Sequence, residues 1–82
     1  MTVLDVYSRQ GCHLCEVLVE DLLELVNRRA SVRVHDIDTR PDWRDKYDVR
    51  VPVIELDGEV LSEYTLDPVA VNRALARLAD SE

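Results

Sequence analysis

The residues of this chain that could most clearly do chemistry are its two cysteines, Cys12 and Cys15. Two thiols three positions apart can open and close a disulfide bond, passing through a mixed disulfide with another molecule. A bond across so short a loop removes little conformational entropy from the unfolded chain, so stabilisation is a poor explanation for the pair. The spacing therefore favours redox chemistry over a structural crosslink.

The cysteines lie where a turn meets a helix. Residues 8–11 are typical of a turn, and apolar residues recur at helical spacing across residues 12–29. A thiolate at a helix N-terminus is stabilised by unpaired backbone N–H groups and by the positive end of the helix dipole. We therefore expect Cys12 to be the nucleophile, Cys15 to resolve the mixed disulfide, and Arg9 to supply a nearby cation.

Two other interpretations of the cysteines stay open. A C-x-x-C motif can be half of a zinc or iron–sulfur site, but the only histidines that could add ligands are His13 and His35, unless two chains share the metal. The cysteines could also be inert, and the chain would then be a non-catalytic adaptor for a protein partner. The sequence predicts no metal ligands in this chain and favours dithiol exchange.

A proline interrupts an apolar, strand-like run at Val51-Pro52-Val53. Proline cannot donate a hydrogen bond to a neighbouring strand and is normally out of place there. A cis bond between Val51 and Pro52 would turn the chain and leave the backbone groups of Val51 free to pair with an extended substrate. We therefore expect Val51 and Pro52 to form a substrate-docking edge.

The elements that position these residues follow from periodicity and turn signals. The predicted strands cover residues 2–7, 31–38, 51–56 and 59–61, and the predicted helices cover 12–29, 41–48 and the segment from 68 onwards. Asp57-Gly58 predicts a hairpin turn, and Asp67 predicts the N-cap of the last helix. Arg28 and Arg29 are expected in the last turn of the first helix, and Val34 on the drier face of the second strand.

The order β-α-β-α-β-β-α predicts an α/β fold with a four-stranded mixed sheet and helices on both faces. Its 82 residues are enough for one domain spanning 1–82, and the net charge of −7 would repel nucleic acid. No apolar run approaches the roughly 18 residues of a spanning helix, and residues 1–6 lack a basic leader. We expect a cytoplasmic monomer without membrane or nucleic-acid partners.

The cysteines and the proline together resemble the thioredoxin fold, and more closely its glutaredoxin branch. Val6–Cys15 (VYSRQGCHLC) resembles the strand-turn-helix of glutaredoxins, and Val51-Pro52 resembles the segment in which their proline is cis and faces the cysteines. The chain is most similar to short bacterial glutaredoxin-like proteins with a segment such as Tyr47–Val53 (YDVRVPV). The resemblance implies thiol–disulfide exchange without a bound cofactor, acting on protein or low-molecular-weight disulfides.

The resemblance also implies which residues contact substrate around the cysteines. They are Arg9, His13, Leu14, Val51, Pro52, Tyr64, Thr65 and Asp67. Glutaredoxins have Gly-Gly where this chain has Ser62-Glu63, and the Gly-Gly backbone receives glutathione. Side chains there would crowd glutathione, and Glu63 would repel its carboxylates, so its binding is expected to be weakened. Glutathione or a thioredoxin-type reductase is the expected electron source.

One further resemblance concerns Asp5. Thioredoxins keep a buried carboxylate beneath their cysteines that handles protons, and Asp5 lies seven positions before Cys12. Asp5 could take that part, or it could be a partly solvated charge on its strand. Trp43, four positions before Tyr47, is expected to pack against it on a short helix.

Overall fold

Seven regular elements follow one another in the predicted order. A computed structural model describes residues 2–81 of the chain, and side chains from residue 2 to residue 78. The strands are β1 (Val3–Ser8), β2 (Ser31–Asp36), β3 (Val53–Leu56) and β4 (Glu59–Glu63). The helices are α1 (His13–Val26), α2 (Pro41–Tyr47) and α3 (Pro68–Ser81), with a 3-10 turn at Ile37–Thr39.

The four strands form one mixed sheet in the order β2-β1-β3-β4. β1 and β2 are parallel, as a crossover through α1 requires, whereas β3 is antiparallel to both β1 and β4. Asp57 and Gly58 join β3 to β4 with positive φ angles of 50° and 85°. Two positive φ angles are what a tight two-residue hairpin needs, so the Asp-Gly prediction is confirmed.

Helices cover both faces of the sheet, which confirms the predicted architecture. Leu4 and Val6 of β1 are fully buried in a cluster with residues of α1 and α3, including Leu22 and Val71. Tyr7, with the opposite orientation on the strand, packs in a second cluster formed with α2 and β3. α1, which carries Cys15, therefore lies on one face of the sheet, and α2 lies on the other.

The first helix is shorter than predicted. It ends at Val26, because Asn27 adopts a left-handed conformation with φ of 43°. Arg28 and Arg29 therefore lie beyond the helix, and placing them in its last turn was wrong. The Arg29 guanidinium nevertheless donates to the carbonyls of Leu25 and Val26 at 2.8 and 3.2 Å, so one cation still compensates the exposed C-terminal carbonyls.

The strand boundaries also differ from the predicted ones. β2 ends at Asp36, whose side chain accepts a hydrogen bond from the Asp38 N–H at 2.9 Å and so caps the 3-10 turn. β2 is an edge strand, and Val34 is 52% exposed rather than on a dry face. β3 begins two residues later than predicted, at Val53, and β4 continues to Glu63. Across residues 2–81 no helix is long and apolar enough to cross a membrane.

Candidate redox site

Cys12 is the N-cap residue of α1, and its sulfur takes the place that a side-chain oxygen usually fills. The Sγ atom of Cys12 accepts a hydrogen bond from the backbone N–H of Cys15 at 3.1 Å. The carbonyl of Cys12 accepts the N–H of Glu16, also at 3.1 Å, which begins the helical ladder. Because first-turn N–H groups lack partners within the helix, this position favours negative charge on the sulfur.

Cys12 and Cys15 are joined by a disulfide bond, with their Cα atoms 5.2 Å apart. Cys15 is 3% exposed on the buried side of α1, whereas Cys12 is only partly buried. Cys12 is therefore the more accessible of the two sulfurs, and Cys15 lies behind it. A pair that closes in this way can accept and release two electrons by thiol–disulfide exchange.

Val51 and Pro52 precede β3 and are joined by a cis peptide bond. The N–H of Val51 donates to the carbonyl of Tyr47 at 3.2 Å, so the expectation that this N–H is free to pair with a substrate is wrong. The end of α2 supplies this acceptor, which periodicity alone does not reveal. The carbonyl of Pro52 accepts the N–H of Tyr64 at 2.8 Å and fixes the segment to the end of β4. The predicted pairing with an extended substrate would therefore use the carbonyl of Val51.

Arg9 connects the turn before Cys12 to the other side of the site. Its guanidinium binds Asp38 and Asp48, each at 3.1 Å, and its backbone carbonyl accepts the Cys12 N–H at 3.3 Å. The hydrogen bonds that it donates to Asp48 and Asp38 raise the pKa of Arg9. Two carboxylates thus engage the charge that was expected to support the Cys12 thiolate.

Three of the predicted contact residues line one groove beside α1. Leu14 is 50% exposed, Tyr64 is 57% exposed, and together with Thr65 they border a cavity of about 330 Å³. His13 is more exposed still, and its Nδ1 lies 3.9 Å from a carboxylate oxygen of Glu16. The structure therefore brings Leu14, Tyr64 and Thr65 together at one groove, which meets α1 one residue before Cys15.

The other residues after β3 have different environments. Asp67 accepts the N–H of Ala70 at 3.1 Å and caps α3, which confirms the N-cap prediction. Ser62 is 7% exposed and its hydroxyl lacks a hydrogen-bond partner in the described chain, so its side chain points into the protein rather than crowding a ligand. Glu63 is exposed and binds Arg50. Only Glu63 of this pair can act on an approaching molecule.

Asp5 faces away from α1 and the cysteines. Side chains alternate along β1, so Asp5 lies on the same face as Tyr7. One of its carboxylate oxygens is 2.7 Å from Nε2 of His35 and 3.1 Å from Nε of Arg33. A place beneath the cysteines is therefore excluded for Asp5, because the opposite face of the sheet carries α1. The alternative, a partly solvated charge on the strand, agrees with the 20% exposure of its side chain.

A buried polar pair that was not predicted from the sequence links the end of α2 to β3. The hydroxyl of Tyr47 donates to a carboxylate oxygen of Glu55, and the two residues are 2% and 5% exposed. Burial and the neighbouring Glu55 raise the pKa of Tyr47. The ring of Tyr47 also stacks on that of Tyr7, with centroids 4.2 Å apart. A glutamate inside the apolar run of residues 51–56 was the available signal, because a buried charge needs a partner.

The described residues offer no ligand set for a metal within one chain. Nowhere between residues 2 and 78 do three or more His, Cys, Asp or Glu side chains lie close enough to hold an ion. The two sulfurs are bonded to each other. A metal held by Cys12 and Cys15 would need its remaining ligands from another molecule.

Solved structures similar to this chain include a structural-genomics protein, a thioredoxin and a glutaredoxin. The structural-genomics protein XcR50 from X. campestris is 25% identical, with a TM-score of 0.72 over 90% of this chain and 96% of that one. A mutant thioredoxin from Halobacterium salinarum is 27% identical, with a TM-score of 0.63 over 93% and 73%. Glutaredoxin C1 from Populus tremula x tremuloides, in its holo form, is 22% identical with a TM-score of 0.52 over 90% and 74%, which supports the fold alone.

The sequence also matches a family model. No curated protein sequence matches the chain. The model of the glutaredoxin-like domain (DUF836), however, matches residues 3–77. That range contains the strand before the cysteines, the cysteines themselves, the proline segment and most of the last helix. The chain therefore belongs to the glutaredoxin-like domain family.

Proposed function

We propose that this protein is a thiol–disulfide oxidoreductase that works by dithiol exchange through Cys12 and Cys15. The observation that supports this proposal most directly is the disulfide at the start of α1. In it, Cys12 caps the helix and Cys15 is 3% exposed. Membership of the glutaredoxin-like domain family supports the same chemistry.

The reaction begins with the reduced protein. The Cys12 thiolate attacks one sulfur of a substrate disulfide, whose S–S bond breaks and releases the first substrate thiolate. Cys15 then attacks Sγ of Cys12 in the mixed disulfide, which releases the second substrate thiol and leaves the Cys12–Cys15 disulfide. The N–H of Cys15 donates to Sγ of Cys12 at 3.1 Å and would stabilise the Cys12 thiolate that begins the first step. Two electrons from glutathione or a reductase restore the dithiol.

The surroundings of the site favour a protein or low-molecular-weight disulfide as the substrate. The exposed side chains of Leu14 and Tyr64 offer apolar contacts in a groove at the start of α1. An extended segment could add a hydrogen bond to the carbonyl of Val51. These contacts would hold a substrate sulfur near Cys12 without a bound cofactor.

Single cysteine variants test this proposal. Cys12→Ser should abolish reduction of a model protein disulfide, because it removes the attacking sulfur. Cys15→Ser should accumulate a mixed disulfide on Cys12 that mass spectrometry detects. A reductase system with glutathione, compared with one containing thioredoxin reductase, would identify the electron source.

The same variants separate catalysis from a purely adaptor role. If both variants retain the activity of the unmodified protein, the disulfide is not the reactive centre. If no protein form exchanges disulfides and the double cysteine variant still binds a partner, the chain is an adaptor. Far-ultraviolet circular dichroism of each variant would establish that the fold is intact.

A further inference from the structure

An ion pair borders the proposed docking edge. Nε of Arg50 lies 3.1 Å from Oε1 of Glu63, and Nη2 of Arg50 binds the same oxygen. Nη1 donates to the carbonyl of Lys46 at 3.3 Å, and the guanidinium lies over the Tyr47 ring, 5.7 Å from its centroid. The hydrogen bond that it donates to Glu63 raises the pKa of Arg50. Arg50 is therefore held in one position by three neighbours.

This pair flanks Val51 and Pro52 from two directions. Arg50 immediately precedes Val51 in the chain. Glu63 lies opposite Val53 in the β3–β4 register, and the next N–H, that of Tyr64, donates to Pro52 at 2.8 Å. A molecule that docks against Val51 therefore approaches both members of the pair.

A cation beside a docking edge would attract a substrate carboxylate, but the guanidinium of Arg50 already binds the carboxylate of Glu63. The pair is partly exposed, with side-chain exposures of 34% and 43%, so it contributes little to folding. As part of the same chain, however, Glu63 competes at a high effective concentration, and a dissolved carboxylate does not displace it easily. Asp21 adds a further carboxylate to the groove that Leu14 and Tyr64 line.

Building on the proposed function, we infer that the Arg50–Glu63 pair makes this site select against disulfides and thiols that carry carboxylates near the sulfur. Glutathione carries two carboxylates, so this selection would make a reductase the better of the two electron sources. Neutral and cationic disulfides do not bind through Arg50, so Glu63 does not compete with them there. They are therefore the preferred class of low-molecular-weight substrate.

The step to measure is the first exchange, in a Cys15→Ser background that stops at the mixed disulfide. The Cys12 thiolate attacks a symmetrical disulfide RSSR, a Cys12–S–S–R bond forms, the original S–S bond breaks, and RS⁻ leaves. Three small disulfides serve as probes: hydroxyethyl disulfide is neutral, cystamine is cationic, and dithiodipropionate is anionic. Mass spectrometry gives the second-order rate constant for each.

The decisive variant is Glu63→Gln, which keeps the shape of the side chain and removes its charge. The ratio of the rate with the anionic probe to the rate with the neutral probe should rise about two- to fivefold, and the ratio of the cationic to the neutral rate should fall. Because each ratio compares the same probes across variants, differences in intrinsic probe reactivity cancel. The effect should shrink to less than about twofold near 0.5 M salt, where exposed charges are screened.

Two controls make the result specific. Glu24→Gln changes the net charge equally on the exposed face of α1, and it should leave both ratios unchanged. Adding Arg50→Gln to Glu63→Gln should remove the gain, because no guanidinium is then released.

The outcomes separate this inference from the proposed function. The selection by Arg50 and Glu63 is disproved if Glu63→Gln leaves both ratios unchanged while Cys12 still reacts with the neutral probe. It is also disproved if Glu24→Gln changes the ratios as much as Glu63→Gln does. In both cases the proposed function stands. If Cys12 does not react with any probe, the proposed function fails first.

Discussion

At the scale of single residues, the buried Tyr47–Glu55 pair is a polar contact next to the segment that contains Val51 and Pro52. Glu55 is 5% exposed in β3, and the hydroxyl of Tyr47 donates to its carboxylate. Tyr47 also provides the carbonyl that accepts the Val51 N–H. The same residue thus satisfies a buried charge and fixes the segment on which a substrate is proposed to dock.

We expect Tyr47→Phe to lower the free energy of unfolding by about 1–3 kcal/mol, because the variant leaves the buried carboxylate without its donor. Urea unfolding followed by tryptophan fluorescence measures the change. Tyr64→Phe is the matched control, since Tyr64 is 57% exposed, and it should stay within about 0.5 kcal/mol of the unmodified protein. Equal effects of the two substitutions would contradict the importance of the buried pair.

The same pair predicts a loss of stability in alkali. The folded state raises the pKa of Tyr47, so above about pH 10 the unfolded chain releases the phenolic proton first. Stability from this group is therefore complete below the unfolded pKa and declines as the pH rises above it. Unfolding measured from about pH 8 to about pH 11.5 should show a smaller alkaline decline in Tyr47→Phe, and an identical decline would contradict this prediction.

Among the elements, the turn before α1 and the end of α2 are joined by Arg9. Asp38 lies in the 3-10 turn and Asp48 caps α2, and both bind the Arg9 guanidinium. This joins the residues before Cys12 to those before Val51, which are distant in sequence. A positioning role follows from these contacts.

We expect Arg9→Gln to slow the exchange reaction of Cys12 about two- to fivefold. The free energy of unfolding should fall by less than about 1 kcal/mol, because exposed ion pairs contribute little to stability. In a double-mutant cycle with Asp48→Asn, the second substitution should add almost nothing to the rate effect. Fully additive rate effects would show that Arg9 does not act through Asp48.

How far the sequence predicts the structure depends on the range of each interaction. The hairpin turn at Asp57-Gly58 and the N-cap at Asp67 were predictable because their signals are local. The orientation of Asp5 and the partners of Arg9 were not, because they depend on which face α1 covers and on carboxylates 29 and 39 positions away. The exposure of Val34 likewise follows from the edge position of β2 and not from its own residues.

For the whole molecule, the fold places the accessible sulfur at a helix start and its partner against the core. The chain carries a net charge of −7, and the acidic Glu16 lies in the first turn of α1, where its N–H donates to the Cys12 carbonyl at 3.1 Å. Besides its disulfide partner, the Cys12 sulfur is contacted by the Cys15 N–H, which donates to it at 3.1 Å. The reactivity of Cys12 therefore depends mainly on the first turn of α1.

Alkylation of Cys12 by iodoacetamide, measured at about pH 6.5 and about pH 9 in the Cys15→Ser variant, tests this most directly. An ordinary thiol is only about 1% thiolate at the lower pH, so its rate falls by roughly 50- to 100-fold between the two conditions. If the first turn of α1 stabilises the thiolate, the rate at the lower pH should remain within about tenfold of the rate at the higher pH. A decrease as large as that of free cysteine would contradict the nucleophilic role of Cys12.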